Sequence, residues 1–239
     1  MTGTGTIAKR ELAAYFRAPA GWLIIALYTL LSGMVFSIYI LRTGSPASMR
    51  DFFAVSGALL MPVVPAIAMR LFADEIRGGT LEALLTAPVS PGSIVLGKFF
   101  GAMGFLTCMF LPTLVYVATL FRVANTTPDP GPVLCGYLCL YLVGAAYLSI
   151  GTLASSLTGN STLAFMVSLF TILGLLFAAA PADLAPAPMR SVLYAIAIPP
   201  RVGDFARGVI DLANVAYFGG ITVFCLLAAT CALELKRWG

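Results

Sequence analysis

Histidine is absent from this sequence, and charged side chains are scarce. The 239 residues include no His, and only 10% are Asp, Glu, Lys or Arg. Soluble globular domains have about 25% charged residues, so this composition lies outside their range. The lack of His excludes Ser-His and Cys-His nucleophile pairs, His acid–base catalysis and the commonest transition-metal ligand.

The cysteines and the basic residues also form few recognisable motifs. All five Cys residues lie in apolar stretches and none belongs to a Cys-x-x-Cys pattern, so we expect small buried hydrophobic residues. Cys135 and Cys139 share a helix face, which leaves a metal or redox pair as the alternative. The net charge of +4 is dispersed, and no run of Lys or Arg exceeds two residues. The sequence therefore predicts no nucleic-acid partner.

Long hydrophobic runs are abundant, and hydrophobic residues make up 60% of the chain. Six runs have roughly the 20 residues that a helix needs to cross a bilayer. We predict an all-α integral membrane protein, with six transmembrane helices in a single domain over residues 1–239. The runs cover residues 21–41, 52–69, 99–121, 133–153, 162–180 and 212–233.

An amphipathic helix is predicted before the first run, over residues 7–17. When the residues are plotted at 100° intervals around the helix axis, four apolar side chains fall on one arc and the two arginines on the opposite arc. This pattern is typical of helices that lie at a membrane interface. A frayed tail with juxtamembrane charges is the alternative. The apolar arc consists of Ala8, Leu12, Tyr15 and Phe16.

Basic residues favour a cytoplasmic location for both termini. With six spans the two termini lie on the same side of the membrane. If that side is the cytoplasm, the cytoplasmic segments hold eight of the 14 basic residues. The bias is small, but the basic residues before the first span and after the last favour the same orientation.

The connection over residues 70–98 carries six of the chain's 24 charged residues. Gly78 and Gly79 interrupt the helix that leaves the second span, and Pro88 ends the short helix that follows. Ser90 and Pro91 form an N-cap followed by a first-turn proline, so a new helix begins there and continues into the third span. The pattern predicts a short cytoplasmic helix between spans 2 and 3.

A second long connection follows the fifth span and contains several prolines. Residues 192–198 are apolar but too few to cross a bilayer, so we expect an external re-entrant segment that dips into the membrane. It would act as an external gate, or as a structural lid over the last two spans in the alternative interpretation. The candidate gate residues are Val192, Tyr194, Ile196 and Ile198.

The segment GSIVLGKF, residues 92–99, resembles a phosphate-binding loop but lacks its final Ser or Thr. It also follows a helix cap rather than a strand. Gly97 and Gly101 instead form a GxxxG pattern, which allows a neighbouring helix to approach closely. No ionisable residue lies inside the six runs, which argues against ion-coupled transport.

Residues 69–101, MRLFADEIRGGTLEALLTAPVSPGSIVLGKFFG, resemble the cytoplasmic segment of type-2 ABC exporter permeases. The similarity is to the gliding-motility and nitrous-oxide-reductase-maturation branch. Residues 7–22, 207–218 and 233–239 resemble the family's connecting helix, last external helix and final span. The matching residues are Asp74, Glu75, Arg77, Gly79, Thr80, Glu82, Leu84, Leu85, Pro88, Gly97 and Lys98.

The resemblance implies a permease that works with a separate ATP-binding subunit, to which ATP and Mg would bind, whereas this chain has no catalytic, cofactor or metal residue. It implies that the chain forms half of a translocation pathway, which a second copy or a sister permease completes. Membrane lipid would surround the complex. It also implies the bacterial cytoplasmic (inner) membrane and allows an auxiliary external subunit. The ATPase-coupling residues that it implies are Asp74, Glu75, Arg77, Gly79, Thr80, Glu82, Leu84, Leu85 and Pro88.

Two other classes of function stay open. A non-transporting assembly or scaffold subunit would have the same composition and would differ in not stimulating an ATPase. A membrane-embedded enzyme would need clustered acid, base or nucleophile residues near one interface, and no such cluster is visible in the sequence.

Overall fold

The computed structural model describes residues 2–40, 49–81, 89–123, 129–180, 186–206 and 208–238. Within these ranges the regular structure is entirely helical, without β-strands. The all-α class predicted from the hydrophobic runs is therefore confirmed.

The first half of the chain forms an N-terminal helix, three long apolar helices and a short charged helix between the second and third of them. In chain order these are α1 Thr2–Arg17, α2 Pro19–Tyr39, α3 Arg50–Ala68, α4 Ala73–Arg77, α5 Pro91–Phe110, the 3-10 turn Leu111–Thr113 and α6 Leu114–Val123. The second half consists of α7 Pro130–Leu157, α8 Ser161–Phe177, α9 Ala187–Ile196, α10 Pro199–Ala206 and α11 Leu212–Trp238.

Local sequence signals set several helix starts. The Ser90 hydroxyl accepts a hydrogen bond from Ser93 N at 3.3 Å, and Pro91 occupies the first helical position. This confirms the predicted start of α5. Asp129 and Asn160 cap α7 and α8 in the same way, by accepting hydrogen bonds from first-turn N–H groups. Such caps satisfy donors that have no partner within the helix.

Five helices in the described ranges are long and apolar enough to cross a membrane. They correspond to the first, second, third, fourth and sixth predicted runs. The remaining run forms α8, which has 17 residues and a rise of about 26 Å, slightly short of a hydrocarbon core of about 30 Å. The five long stretches are Pro19–Ile38, Arg50–Arg77, Pro91–Val123, Pro130–Leu157 and Leu212–Arg237.

Side-chain contacts show that α2 runs in the same direction as α5 and α6. The rings of Tyr28 and Phe110 are 5.9 Å apart, and those of Phe36 and Tyr116 are 5.2 Å apart. The helix α7 runs the opposite way. Its Tyr137 hydroxyl lies 2.9 Å from that of Thr113, and further along α7 Gly144 packs against Leu106, which lies earlier in the chain than Thr113.

The helices α3, α7 and α11 share this opposite direction. The Phe53 ring packs on Gly136 near the starts of α3 and α7, and Lys236 Nζ donates to the Ser156 carbonyl at 2.9 Å near the ends of α11 and α7. The helix α7 lies at the centre, and residues such as Leu148 and Thr152 have no exposed surface. Large apolar side chains cover the outside instead, as lipid-facing helices require.

The bundle therefore has two distinct ends. Gly3 lies beside Val89, and Gly92 lies beside Thr230, so both chain termini are found at one end, here called the basal end. The starts of α3 and α7, together with α9 and α10, are found at the other end, here called the apical end.

Candidate functional site

The charged connection that follows α3 begins with the short helix α4 at the basal end. Gly78 N donates to the Asp74 carbonyl at 2.9 Å and ends this helix. Gly79 then adopts a φ of +67°, in the left-handed region that residues with a Cβ rarely adopt. Asp74, Arg77 and Thr80 are exposed, so their side chains are available to a partner at this end.

The predicted coupling residues are only partly covered by the structure. The five residues from Asp74 to Thr80 lie together on α4 and the turn after it. The other four predicted residues lie outside the described residues, and their placement and role stay a prediction. These four are Glu82, Leu84, Leu85 and Pro88.

A buried serine on α7 fixes the turn between α3 and α4. The Ser155 hydroxyl accepts hydrogen bonds from Phe72 N at 2.9 Å and Ala73 N at 3.0 Å, and it donates to the Met69 carbonyl at 3.0 Å. Ser155 has no exposed surface. One side chain thus satisfies three backbone groups that would be costly to bury without partners, and it attaches the charged connection to the central helix.

A second attachment is ionic and is centred on Lys98 of α5. Its side chain is only 3% exposed, and Nζ lies 2.9 Å from a Glu75 carboxylate oxygen and 3.4 Å from one of Glu11. Nζ also lies 5.2 Å from the centre of the Phe72 ring. Arg10 approaches Glu75 at 4.0 Å from the exposed side. We call Lys98, Glu75 and Glu11 the basal ion cluster.

The basal ion cluster joins the N-terminal helix to two helices that lie far along the chain from it. Glu11 belongs to α1, Glu75 to α4 and Lys98 to α5. A buried ion pair is weak evidence for net stability, because desolvation of the charges offsets their attraction. Removing one member is costly, however, since the remaining charge keeps its desolvation penalty without its partner. The cluster therefore holds the three helices in one specific arrangement.

The GxxxG pattern lies against the N-terminal helix. A Cβ added to Gly97 would come within 2.8 Å of Ile7 Cβ, and one added to Gly101 within 2.7 Å of Glu11 Cβ and 2.8 Å of the Ala8 carbonyl oxygen. Only glycine permits this approach of α1 to α5. The neighbour of these glycines is thus α1, and its position brings Glu11 to Lys98.

The apolar arc predicted for the N-terminal helix also faces protein. Leu12, Tyr15 and Phe16 pack against the core, and the Tyr15 and Phe105 rings stack at 4.7 Å. Burial raises the pKa of Tyr15, and the nearby Glu11 carboxylate raises it further. The phenol therefore stays protonated at neutral pH and donates to the Ile67 carbonyl at 3.0 Å.

At the apical end a second polar group connects α9, α10 and α11. Arg201 donates to Asn214 Oδ1 at 3.0 Å and to the Ala195 carbonyl at 2.7 Å, and its guanidinium lies 4.0 Å from the centre of the Tyr217 ring. Asn214 in turn donates to Asp204 at 3.1 Å. The segment after α8 is therefore attached to the start of the last long helix.

The four predicted gate residues do not converge on one point. Val192, Tyr194 and Ile196 lie on α9 and are 54%, 42% and 41% exposed, whereas Ile198 is 2% exposed. Ile198 N donates to the Leu175 carbonyl at 3.3 Å, which places it against the end of α8. Among the four, Ile198 alone is inserted between the long helices.

Several residues of these sites were not singled out by the sequence as functional. Lys98 matches the permease-like segment, but that match gave it no role. The signal of a role is its place as a charge within an apolar helix, a position that is rarely occupied without a partner. Its partner Glu11 gave no such signal, because only the docking of α1 brings the two together. Ser155 and Arg201 are ordinary in type, and their importance arises from their tertiary contacts.

Long apolar helices, an apolar outer surface and a charged basal connection define a multi-pass transmembrane protein. Residues 38–193 match the family described as ABC-2 family transporter protein. Because this match covers well over half of the chain, the protein belongs to that family and is a transmembrane permease of the ABC transporter type. Members of the family are membrane components that generally work with a separate ATP-binding subunit. A search of curated proteins finds no match to the chain.

Proposed function

We propose that this chain is the permease subunit of an ATP-driven exporter, forming half of a translocation pathway and coupling to a separate ATP-binding subunit. One observation carries the proposal. The exposed charged turn at the basal end is attached to the long helices α5 and α7 through the basal ion cluster and Ser155. A movement imposed on that turn is therefore passed to helices that cross the bundle.

The basal end has the features of a docking surface for a soluble subunit. Asp74 and Arg77 are exposed on α4, and charges at the rim of an interface fix orientation and partner choice more than affinity. Glu75 points the other way and is engaged by Lys98. We propose that the exposed residues, together with Glu82, Leu84, Leu85 and Pro88 further along the segment, contact the ATP-binding subunit.

Co-purification tests this function against the scaffold alternative. The chain is expressed together with the ATP-binding subunit encoded nearest to it, and the complex is isolated through a tag on the permease. A permease should retain the subunit, and the rate of ATP hydrolysis per subunit should rise on complex formation. A complex without any rise would support a scaffold role and contradict the proposal.

We further propose six membrane crossings, with both termini in the cytoplasm of a bacterial cell and the protein in its inner membrane. Alternating directions of consecutive long helices support this topology, because α8 is needed to return the chain from the basal to the apical end. The basic residues Lys236 and Arg237 at the end of α11 favour a cytoplasmic basal end by the positive-inside rule.

Cysteine labelling should reveal this orientation. In a variant without the native cysteines, single cysteines at Thr4 and Ser90 should react with an impermeant maleimide only after the cells are permeabilised. Cysteines at Ser48, Thr127 and Ala187 should react in intact cells. Labelling of Ser90 in intact cells would place the basal end outside and refute its docking to a cytoplasmic ATPase.

We propose that the segment from α9 to α10 closes the apical end of the pathway, with Ile198 as its inserted residue. Replacing Ile198 with Asp would put a charge among apolar helices, so export should fail or leak while the complex stays assembled. In the lid alternative the same change should first lower expression and thermal stability. Normal export with normal stability would contradict both versions.

The remaining proposals rest on the resemblance of residues 69–101 to known permeases. They place the chain near the gliding-motility and nitrous-oxide-reductase-maturation branch, and they pair it with a second copy or a sister permease. To distinguish these two arrangements, two differently tagged copies of this chain are expressed together and cross-linked in membranes. Cross-links between the two tags indicate a homodimer, and their absence indicates pairing with a sister permease.

A further inference from the structure

A group of side-chain hydroxyls meets inside the bundle, level with the middle of α2. Tyr28 of α2 is 1% exposed, and Ser56 of α3 has no exposed surface. The Tyr28 hydroxyl faces that of Ser56, and it interacts electrostatically with the hydroxyls of Tyr116 and Tyr137. Hydroxyls from the four helices α2, α3, α6 and α7 therefore converge in the interior of the protein.

Two members of this hydroxyl group have partners that hold them in place. The Tyr116 hydroxyl donates to the Thr29 carbonyl at 2.6 Å. A Cβ added to Gly33 would lie 2.8 Å from the same hydroxyl, so the absence of a side chain there leaves room for it. The hydroxyls of Tyr137 and Thr113 lie 2.9 Å apart and share a hydrogen bond.

The other two members, Tyr28 and Ser56, lack partners. Neither hydroxyl forms a hydrogen bond with any residue that the structure describes. Other buried serines donate to a carbonyl of their own helix, as Ser149 and Ser168 do, whereas Ser56 keeps its donor for another partner. A buried hydroxyl without a partner is costly, and the lipid around the bundle offers no substitute.

We propose that a bound water molecule joins the hydroxyls of Tyr28 and Ser56, and so connects α2 to α3 inside the membrane domain. Buried waters make two to four hydrogen bonds, and the two hydroxyls supply the minimum. The four hydroxyl-bearing side chains are uncharged, so a neutral ligand suits the group better than an ion does. A direct bond between Tyr28 and Ser56 is the alternative. The site does not depend on the proposed export function.

Radiolytic labelling of the purified full chain in detergent tests the proposal. X-rays convert water to hydroxyl radicals, which oxidise the side chains beside them, so a bound water labels a residue that bulk solvent does not reach. Tyr28 should be oxidised, as measured by mass spectrometry of its peptide. Phe105 is equally buried and packs against the rings of Tyr15 and Phe16, and it should stay unlabelled.

Brief mixing with heavy-oxygen water before the pulse identifies the source of the label. Bulk water adds heavy oxygen, whereas a slowly exchanging bound water adds ordinary oxygen. We expect ordinary oxygen on Tyr28. A label of bulk origin, or a Tyr28 as resistant to oxidation as Phe105, would overturn the proposal.

Two serine variants separate the bound water from the direct bond. Ser56→Ala removes one partner of the water and should lower the oxidation of Tyr28 about two- to tenfold, the value of one hydrogen bond. Ser168→Ala removes an equally buried hydroxyl from α8 and should leave that oxidation unchanged. An unlabelled Phe105 shows that each variant is folded. Equal or greater oxidation of Tyr28 in Ser56→Ala would overturn the proposal, and the greater value would favour the direct bond.

Discussion

Lys98→Met is expected to destabilise the protein by about 3–5 kcal/mol, the cost of removing one partner from a buried ion pair. The methionine would fill a similar volume, but Glu75 and Glu11 would lose the cation that lies 2.9 and 3.4 Å from them. The Glu75 and Glu11 side chains are only 22% and 17% exposed, so water would solvate the two uncompensated carboxylates poorly. Thermal unfolding in detergent measures the loss, and we also expect the stimulation of ATP hydrolysis to fall.

Two controls separate the ion cluster from a general effect of losing a lysine. Lys9→Met removes an exposed charge from α1 and should change stability by less than about 0.5 kcal/mol. The double variant Lys98→Met/Glu75→Gln should recover part of the loss, because the uncompensated carboxylate is removed as well. Equal effects of Lys9→Met and Lys98→Met would contradict the assigned role.

Gly101→Leu should release the N-terminal helix from α5. Its Cβ alone would lie 2.8 Å from the Ala8 carbonyl oxygen, and this backbone atom can move only if α1 moves. Overpacking of this kind costs about 1–3 kcal/mol, and the displacement of Glu11 from Lys98 adds to it. Trypsin should then cleave faster at Lys9, Arg10 and Arg17, which is measured from the rate at which the intact chain disappears.

A matched substitution is available in α8. A Cβ added to Gly174 would meet no atom within 4 Å, so Gly174→Leu introduces the same side chain without a collision. It should leave the rate of cleavage at α1 unchanged. If both leucine variants are cleaved at the wild-type rate, then close packing at Gly101 does not hold α1 in place.

The helical architecture was predictable because it follows from local sequence. Runs of about 20 apolar residues have few alternatives to a membrane helix, and Ser90 followed by Pro91 marks the start of α5 from capping chemistry alone. Helix lengths were predicted less well. The fourth run covers residues 133–153, whereas the helical stretch is Pro130–Leu157, because hydropathy detects only the apolar part of a helix.

Contacts between distant segments could not be predicted from the sequence. Lys98 meets Glu11 across 87 positions, and Ser155 meets Phe72 across 83. No local pattern records such a pairing, because it arises only when the chain folds. The arc of α1 shows the same limit. Its periodicity identified a buried face correctly, but an apolar face can be covered by lipid or by a helix such as α5.

The apical segment was the hardest to predict. Seven apolar residues between prolines indicated that residues 192–198 are unsuited to cross a membrane. They could not indicate that a ten-residue helix, α9, leaves Val192 and Ile196 exposed while Ile198 is buried. The difference depends on Arg201, Asn214 and Tyr217, whose contacts with this segment exist only in the folded protein.

The most direct test of the central claim is the ATP hydrolysis rate of the reconstituted complex. Glu82→Lys reverses a charge in the segment proposed to contact the ATP-binding subunit, outside the apolar spans, so membrane insertion should be unchanged. We predict that wild-type permease raises the hydrolysis rate of the subunit and that Glu82→Lys, at equal permease content, returns it to the rate of the subunit alone. Undiminished stimulation by Glu82→Lys would contradict the account.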